Sequence, residues 1–90
     1  MGIIRKHYHI TGRVQGVGFR YRAKYAAQSL GVSGWVANEP DGSVTMELQG
    51  REDQINLVMK EINMGSFIVM DWIDSSEIPV REEHGFRVRY

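Results

Sequence analysis

Cysteine is absent from the 90 residues. That excludes a disulfide framework, a thiolate metal site and a cysteine nucleophile. Proline is scarce, with two residues, and net charge is absent, with eleven Lys/Arg against eleven Asp/Glu. Both argue against a disordered tail or a general nucleic-acid coat. No apolar run approaches the roughly 20 residues of a membrane span. The N-terminus lacks the apolar stretch of a signal peptide. The composition is that of an ordinary globular chain, long enough for one domain over residues 1–90 and one modest core.

One further absence is local. Residues 1–38 contain no Asp or Glu, yet they hold Arg5, Lys6, Arg13, Arg20, Arg22 and Lys24. All eleven acids lie in residues 39–90. A split of this kind marks a surface that meets a charged partner.

Hydrophobic periodicity gives the element order. Residues 4–11 alternate, with Ile4, Tyr8 and Ile10 on one side and Arg5, His7, His9 and Thr11 on the other, as in a half-buried strand. A glycine-rich loop follows at 12–18. From Phe19 the period becomes helical, with an apolar stripe of Phe19, Ala23, Ala26, Ala27 and Leu30 and a stop at Gly31. Residues 33–38 and 43–49 read as two strands of a hairpin joined by Asn38-Glu39-Pro40-Asp41-Gly42. Residues 52–64 read as a helix with a core stripe of Ile55, Val58, Met59 and Ile62, ended by Gly65. Residues 67–78 are read as extended, and 84–90 alternate again. The order is β-α-β-β-α-β with an extra terminal strand. It predicts an α+β, ferredoxin-like two-layer α/β sandwich: an antiparallel sheet with two helices on one face.

The chemistry concentrates in residues 12–22. Glycines between a strand and a helix allow successive backbone N–H groups to point into one concavity. The first N–H groups of the helix point the same way, which makes an anion site. Arg20 and Arg22 stand in the first helical turn, where cations oppose the macrodipole at about 0.3–1 kcal/mol each. The second helix places Glu52 and Asp53 at the same point, as stability favours. A helix start that breaks this rule suggests that a ligand brings the negative charge, and the arginine fork suits phosphate. The plainer alternative is a tight loop with solvated arginines. The segment matches neither the Walker-type phosphate loop nor the dinucleotide fingerprint.

The string Gly12-Arg13-Val14-Gln15-Gly16-Val17-Gly18-Phe19-Arg20 resembles the first signature of the acylphosphatase family. Gly34-Trp35-Val36-Ala37-Asn38, followed by Asp41-Gly42-Ser43-Val44, resembles the second. The likeness runs to Gly85-Phe86-Arg87-Val88-Arg89-Tyr90 and is weakest over 65–83, where the family's proline-containing stretch is replaced. The resemblance implies hydrolysis of a carboxyl-phosphate anhydride to a carboxylate and inorganic phosphate, with no metal and no organic cofactor. It implies a phosphate cradle from the backbone of Gln15, Gly16, Val17, Gly18, Phe19 and Arg20. Arg20 is then the phosphate clamp, and Asn38 orients the attacking water. The expected partner is a small-molecule acyl phosphate, with no nucleic acid and no membrane, and the chain is expected to act as a cytoplasmic monomer.

Other residues invite other chemistry. His7 and His9 share one strand face, and His84 could complete a metal site, although a solvated polar face is the simpler reading. Trp35, Trp72, Tyr8, Tyr21 and Tyr25 could stack bases, but core and sheet packing account for such residues more simply. Gly34 and Trp35 are expected to support Asn38, and Arg13, Arg22 and Lys24 to shape the field at the mouth. An RNA-binding sheet is the main competing class, and an anion sensor or a domain of a carbamoyl-phosphate enzyme is another.

Overall fold

The computed structural model describes residues 2–89. In chain order the elements are β1 (Ile4–Arg13), α1 (Phe19–Leu30), β2 (Ser33–Asn38), β3 (Val44–Gly50), α2 (Glu52–Asn63), β4 (Val69–Ile78) and β5 (Phe86–Arg89). The strands form one sheet in the order β4-β1-β3-β2-β5. The core lies between the sheet and the two helices. Tyr8, Ile10, Val36, Val44, Met46 and Leu48 come from the strands, and Phe19, Ala23, Ala27, Ile55, Val58 and Ile62 from the helices. Both helical stripes are therefore where the 3.6-residue period puts them, with Ala26, Leu30 and Met59 only partly buried.

The sheet is mixed rather than antiparallel. β1 pairs antiparallel with β3 and β4, and β2 with β3, but β5 runs parallel to β2. The reason is reach. β4 and β5 occupy opposite edges, four strand spacings or about 19 Å apart. The connection over 79–85 spans at most about 25 Å when extended. It can cross under the sheet but cannot also travel back along it. β5 therefore starts at the end where β4 stops.

This crossing strap covers one end of the outer sheet face. Arg5, expected on a solvated face, is 0% exposed there. Its guanidinium lies 2.8 Å from both Glu47 Oε1 and Glu83 Oε1. The Gln49 amide donates to the Arg81 carbonyl at 2.6 Å and accepts from the Arg81 N–H at 2.9 Å, which fastens the strap.

Two punctuation residues behave differently. Gly31 ends α1 with φ 69°, and the N–H of Val32 donates to the Ala27 carbonyl at 2.8 Å. Gly65 does not end α2 by adopting positive φ. The helix stops at Asn63 with Met64 as its cap. A Cβ at Gly65 would lie 2.7 Å from Ile68 Cδ1 and 2.9 Å from Arg22 Cδ. A side chain there would make Ile68 and Arg22 shift. Tyr90, expected to continue the last alternation, lies outside the described residues.

Candidate active site

The site forms where β1 and β2 end beside the start of α1. A register shift between Thr11 and Gly12 turns the end of β1. Gly12 has φ 131°, and a Cβ there would run into the Val69 carbonyl, so only glycine lets β4 approach. Val14 then anchors the loop in the core. Gly16 and Gly18 take φ values of 71° and 84°, with nothing within 4 Å of a Cβ. Their role is conformational: they allow turns that residues with a side chain rarely adopt.

Gly18 is also the N-cap of α1, with no side-chain cap and no acid in the first turn. α2 carries Glu52 and Asp53 at its start. The contrast read from the sequence therefore exists in three dimensions.

Val14, Gly16, Gly18, Phe19, Arg20, Tyr21, Lys24, Asn38 and Val88 line one cleft of about 210 Å³. Arg20 and Asn38, 18 residues apart in the chain, thus meet around one small volume. Its lining has two cations and no acid, which favours an anionic head group. The Asn38 amide oxygen is enclosed and has no hydrogen-bond partner among the described residues. The terminal torsion of an asparagine is soft. An acceptor left without a partner costs about 1–3 kcal/mol.

The side chain of Gln15 does something the backbone reading missed. Its Nε2 donates to the Glu39 carbonyl at 2.7 Å and to the Ser43 carbonyl at 2.8 Å. The Glu39 N–H also donates to the Ser43 carbonyl, at 2.9 Å. One amide therefore fixes the glycine loop against the turn that follows Asn38. Asp41 stiffens that turn, accepting from the Ser43 hydroxyl at 2.5 Å and the Ser43 N–H at 2.9 Å. These two hydrogen bonds hold the Asp41 carboxyl below its ordinary pKa. His9 Nε2 lies 2.9 Å from the same hydroxyl.

Several residues fall outside the cleft. Arg22 is not at the mouth: its Nε donates to the Glu61 carbonyl at 3.1 Å, at the end of α2, where a cation suits the helix dipole. Trp35 lies on the sheet face opposite Asn38, by strand alternation, with Arg89 4.4 Å from its ring centroid. It cannot buttress Asn38 directly. His7 Nδ1 lies 2.8 Å from Glu47 Oε2, so His7 and His9 each have a separate protein partner. No group of three or more His, Cys, Asp or Glu among the described residues is placed to hold a metal ion. Gln15 was visible as a motif letter, but its two carbonyl partners are 24 and 28 residues away. No local signal could reveal them.

A two-layer α/β sandwich with a glycine-built, cation-lined cleft at one end of its sheet defines a small phosphate-handling domain. A family model described as Acylphosphatase matches residues 6–88. The acylphosphatase of Bifidobacterium longum (strain NCC 2705) is 41% identical over 80 residues, covering 89% of this chain and 78% of that protein. The acylphosphatase of Geobacillus thermodenitrificans (strain NG80-2) is 40% identical over 88 residues, covering 96% and 94%. The crystal structure of acylphosphatase from Bacillus subtilis matches with a TM-score of 0.89 at 30% identity, covering 97% of this chain and 99% of that one. The chain belongs to the acylphosphatase family. Its activity is that of an enzyme hydrolysing acyl phosphates. No helix among the described residues is long and apolar enough to cross a membrane.

Proposed function

We propose that this hydrolysis runs without a metal or organic cofactor, on the backbone of Gln15, Gly16, Val17, Gly18, Phe19 and Arg20 together with the side chains of Arg20 and Asn38. The observation that carries the reading is the single cleft shared by Arg20, Asn38, Gly16 and Gly18. The loop N–H groups and the Arg20 guanidinium hold the phosphoryl oxygens and stabilise the charge they carry in the transition state. The Asn38 amide accepts a hydrogen bond from a water and directs a lone pair of that water at phosphorus. The new bond joins the water oxygen to phosphorus. The bond from phosphorus to the carboxylate oxygen breaks, and the carboxylate leaves with the electron pair. The water proton passes to a phosphoryl or carboxylate oxygen of the substrate. No protein base is used, in keeping with the acid-free lining.

We read the chain as one domain over 1–90, acting as a cytoplasmic monomer on a small molecule, without a nucleic-acid partner. Sedimentation of the active enzyme tests the oligomeric reading.

The test of the site is acyl-phosphate hydrolysis under excess chelator in the wild type, Arg20→Ala and Asn38→Ala. Loss of one well-placed donor raises the barrier by about 2.7–4 kcal/mol, or roughly 100- to 1,000-fold in rate. Arg20→Ala is expected to lose both substrate binding and turnover. Asn38→Ala is expected to lose turnover with KM little changed. Near-normal turnover in Asn38→Ala removes its water-orienting role, and activity abolished by chelator removes the metal-free mechanism.

A further inference from the structure

Ser43 holds the turn that follows Asn38, and one of its own holds comes from outside the active cleft. The residue is 2% exposed, and each of its polar groups is engaged. Its carbonyl accepts from the Glu39 N–H at 2.9 Å and from Gln15 Nε2 at 2.8 Å. Its N–H and its hydroxyl both donate to Asp41 Oδ1. The hydroxyl oxygen then has only lone pairs to offer, and His9 Nε2 lies 2.9 Å from it.

That count assigns the imidazole hydrogen. An ionised carboxylate only accepts, and a serine hydroxyl has one proton to give. Asp41 takes that proton's hydrogen bond. His9 Nε2 therefore carries a hydrogen and donates it to Ser43 Oγ.

His9 itself is remote from the chemistry. Its neighbour Ile10 is buried in the core, and strand alternation turns His9 to the outer sheet face. It does not line the cleft. What it reaches is the framework of the cleft. Asn38 pairs with Val44, the residue after Ser43. The Gln15 amide, which ties down the glycine loop, ends on the Ser43 carbonyl. The position of Ser43 is thus felt by Asn38 on one side and by the glycine loop on the other.

Resting on the active-site reading above, we propose that His9 is a positioning residue for the hydrolysis: from the outer sheet face, its Nε2–H fixes Ser43 and, through it, the placement of Asn38 against the phosphate cradle. Its effect falls on the alignment of the attacking water, and so on turnover more than on phosphate binding.

The test is kcat and KM for acetyl phosphate in the wild type, His9→Phe, His9→Gln and Ser43→Ala, with Asn38→Ala alongside. Inhibition by inorganic phosphate is measured as a readout of the cradle. Phe keeps the bulk of the ring and removes the donor. His9→Phe is expected to lower kcat about two- to tenfold, the range of one neutral hydrogen bond, with KM and phosphate inhibition held. Glutamine carries an amide N–H at a similar reach, so His9→Gln is expected to restore kcat. Adding His9→Phe to Ser43→Ala is expected to lower kcat no further, since both act through one hydroxyl. Where His9→Phe does not fold, His9→Met takes its place with the same expectations. Unchanged kcat in the donor-free variant, with Asn38→Ala impaired, overturns the inference whatever happens to Tm, and leaves the active-site reading standing. Unchanged kcat in Asn38→Ala overturns both. A fall in kcat that His9→Gln does not restore overturns the inference, because the donor is then not what matters. A matching loss of phosphate inhibition also overturns it, because the cradle has then moved.

Discussion

Gln15 carries more of the site's geometry than its chemistry suggests. It contributes no charge, yet its amide ties the glycine loop to the two carbonyls that flank the turn after Asn38. Each hydrogen bond is worth about 0.5–1.5 kcal/mol net. Gln15→Leu is therefore expected to destabilise the fold by about 1–3 kcal/mol in urea denaturation. Its larger effect is on rate. A shift of about 1 Å between the cradle and Asn38 costs on the order of 100-fold when it misplaces an attacking group. The expected result is a fall in kcat that exceeds any change in KM. Unchanged kcat with reduced stability would show that the clamp serves folding alone. Arg22 teaches the complementary lesson. It stands two residues from Arg20, but it serves the end of α2, so neighbouring arginines on one helical turn have separate tasks.

At the scale of elements, two glycines with different reasons for being glycine give opposite expectations. Gly16 has φ 71° and open space around a Cβ. Gly16→Ala is strained by about 1–2 kcal/mol in the observed conformation, and the loop relieves this by leaving it. Inhibition by inorganic phosphate is expected to weaken at least as much as stability falls. Gly65 is crowded between Ile68 and Arg22. Gly65→Ala is an overpacking change, expected to cost about 1–3 kcal/mol of stability while phosphate inhibition holds. Equal effects of the two substitutions on inhibition would overturn the distinction. The elements themselves were legible because their patterns are local. The period change at Phe19, the stop at Gly31 and the alternation of Val44, Met46 and Leu48 each need only a few residues. The glycine loop was legible as a motif for the same reason. What was not legible depends on distant partners. The direction of β5 follows from the reach of the 79–85 strap, the burial of Arg5 from that strap's position, and the place of Arg22 from the end of α2.

At the scale of the whole molecule, the active cleft and the Arg5 cluster lie at opposite ends of the sheet, and the cluster contributes to acid stability. Burial alone would raise the Glu47 carboxyl. Hydrogen bonds from His7 and Arg5, with the Arg5 charge, outweigh it and hold Glu47 below its ordinary value of 4.5. A carboxyl lowered by folding stabilises the native state above its unfolded pKa. That stabilisation is lost as pH falls through the folded value. Tyr8 sets the alkaline side. Burial, with the Glu52 charge second, raises its pKa to about 12 from 10.0. Its stabilisation is complete below pH 10, where the phenol is protonated in both states. It is lost as pH rises toward 12, because only the unfolded chain ionises in that interval. The Tyr8 phenol changes stability by up to about 1.4 kcal/mol per pH unit inside its window. For Tyr8 the interval amounts to on the order of 2–3 kcal/mol. Denaturant unfolding between pH 3 and pH 12 is therefore expected to give a plateau with two falling limbs. Glu47→Gln should make the acid limb shallower, with Asp41 remaining as a second lowered carboxyl, and Tyr8→Phe should flatten the alkaline one, each leaving the other in place. An alkaline limb that survives in Tyr8→Phe would assign it to another group. The cleft contains neither residue, so phosphate inhibition measured on the plateau should be the same in both variants.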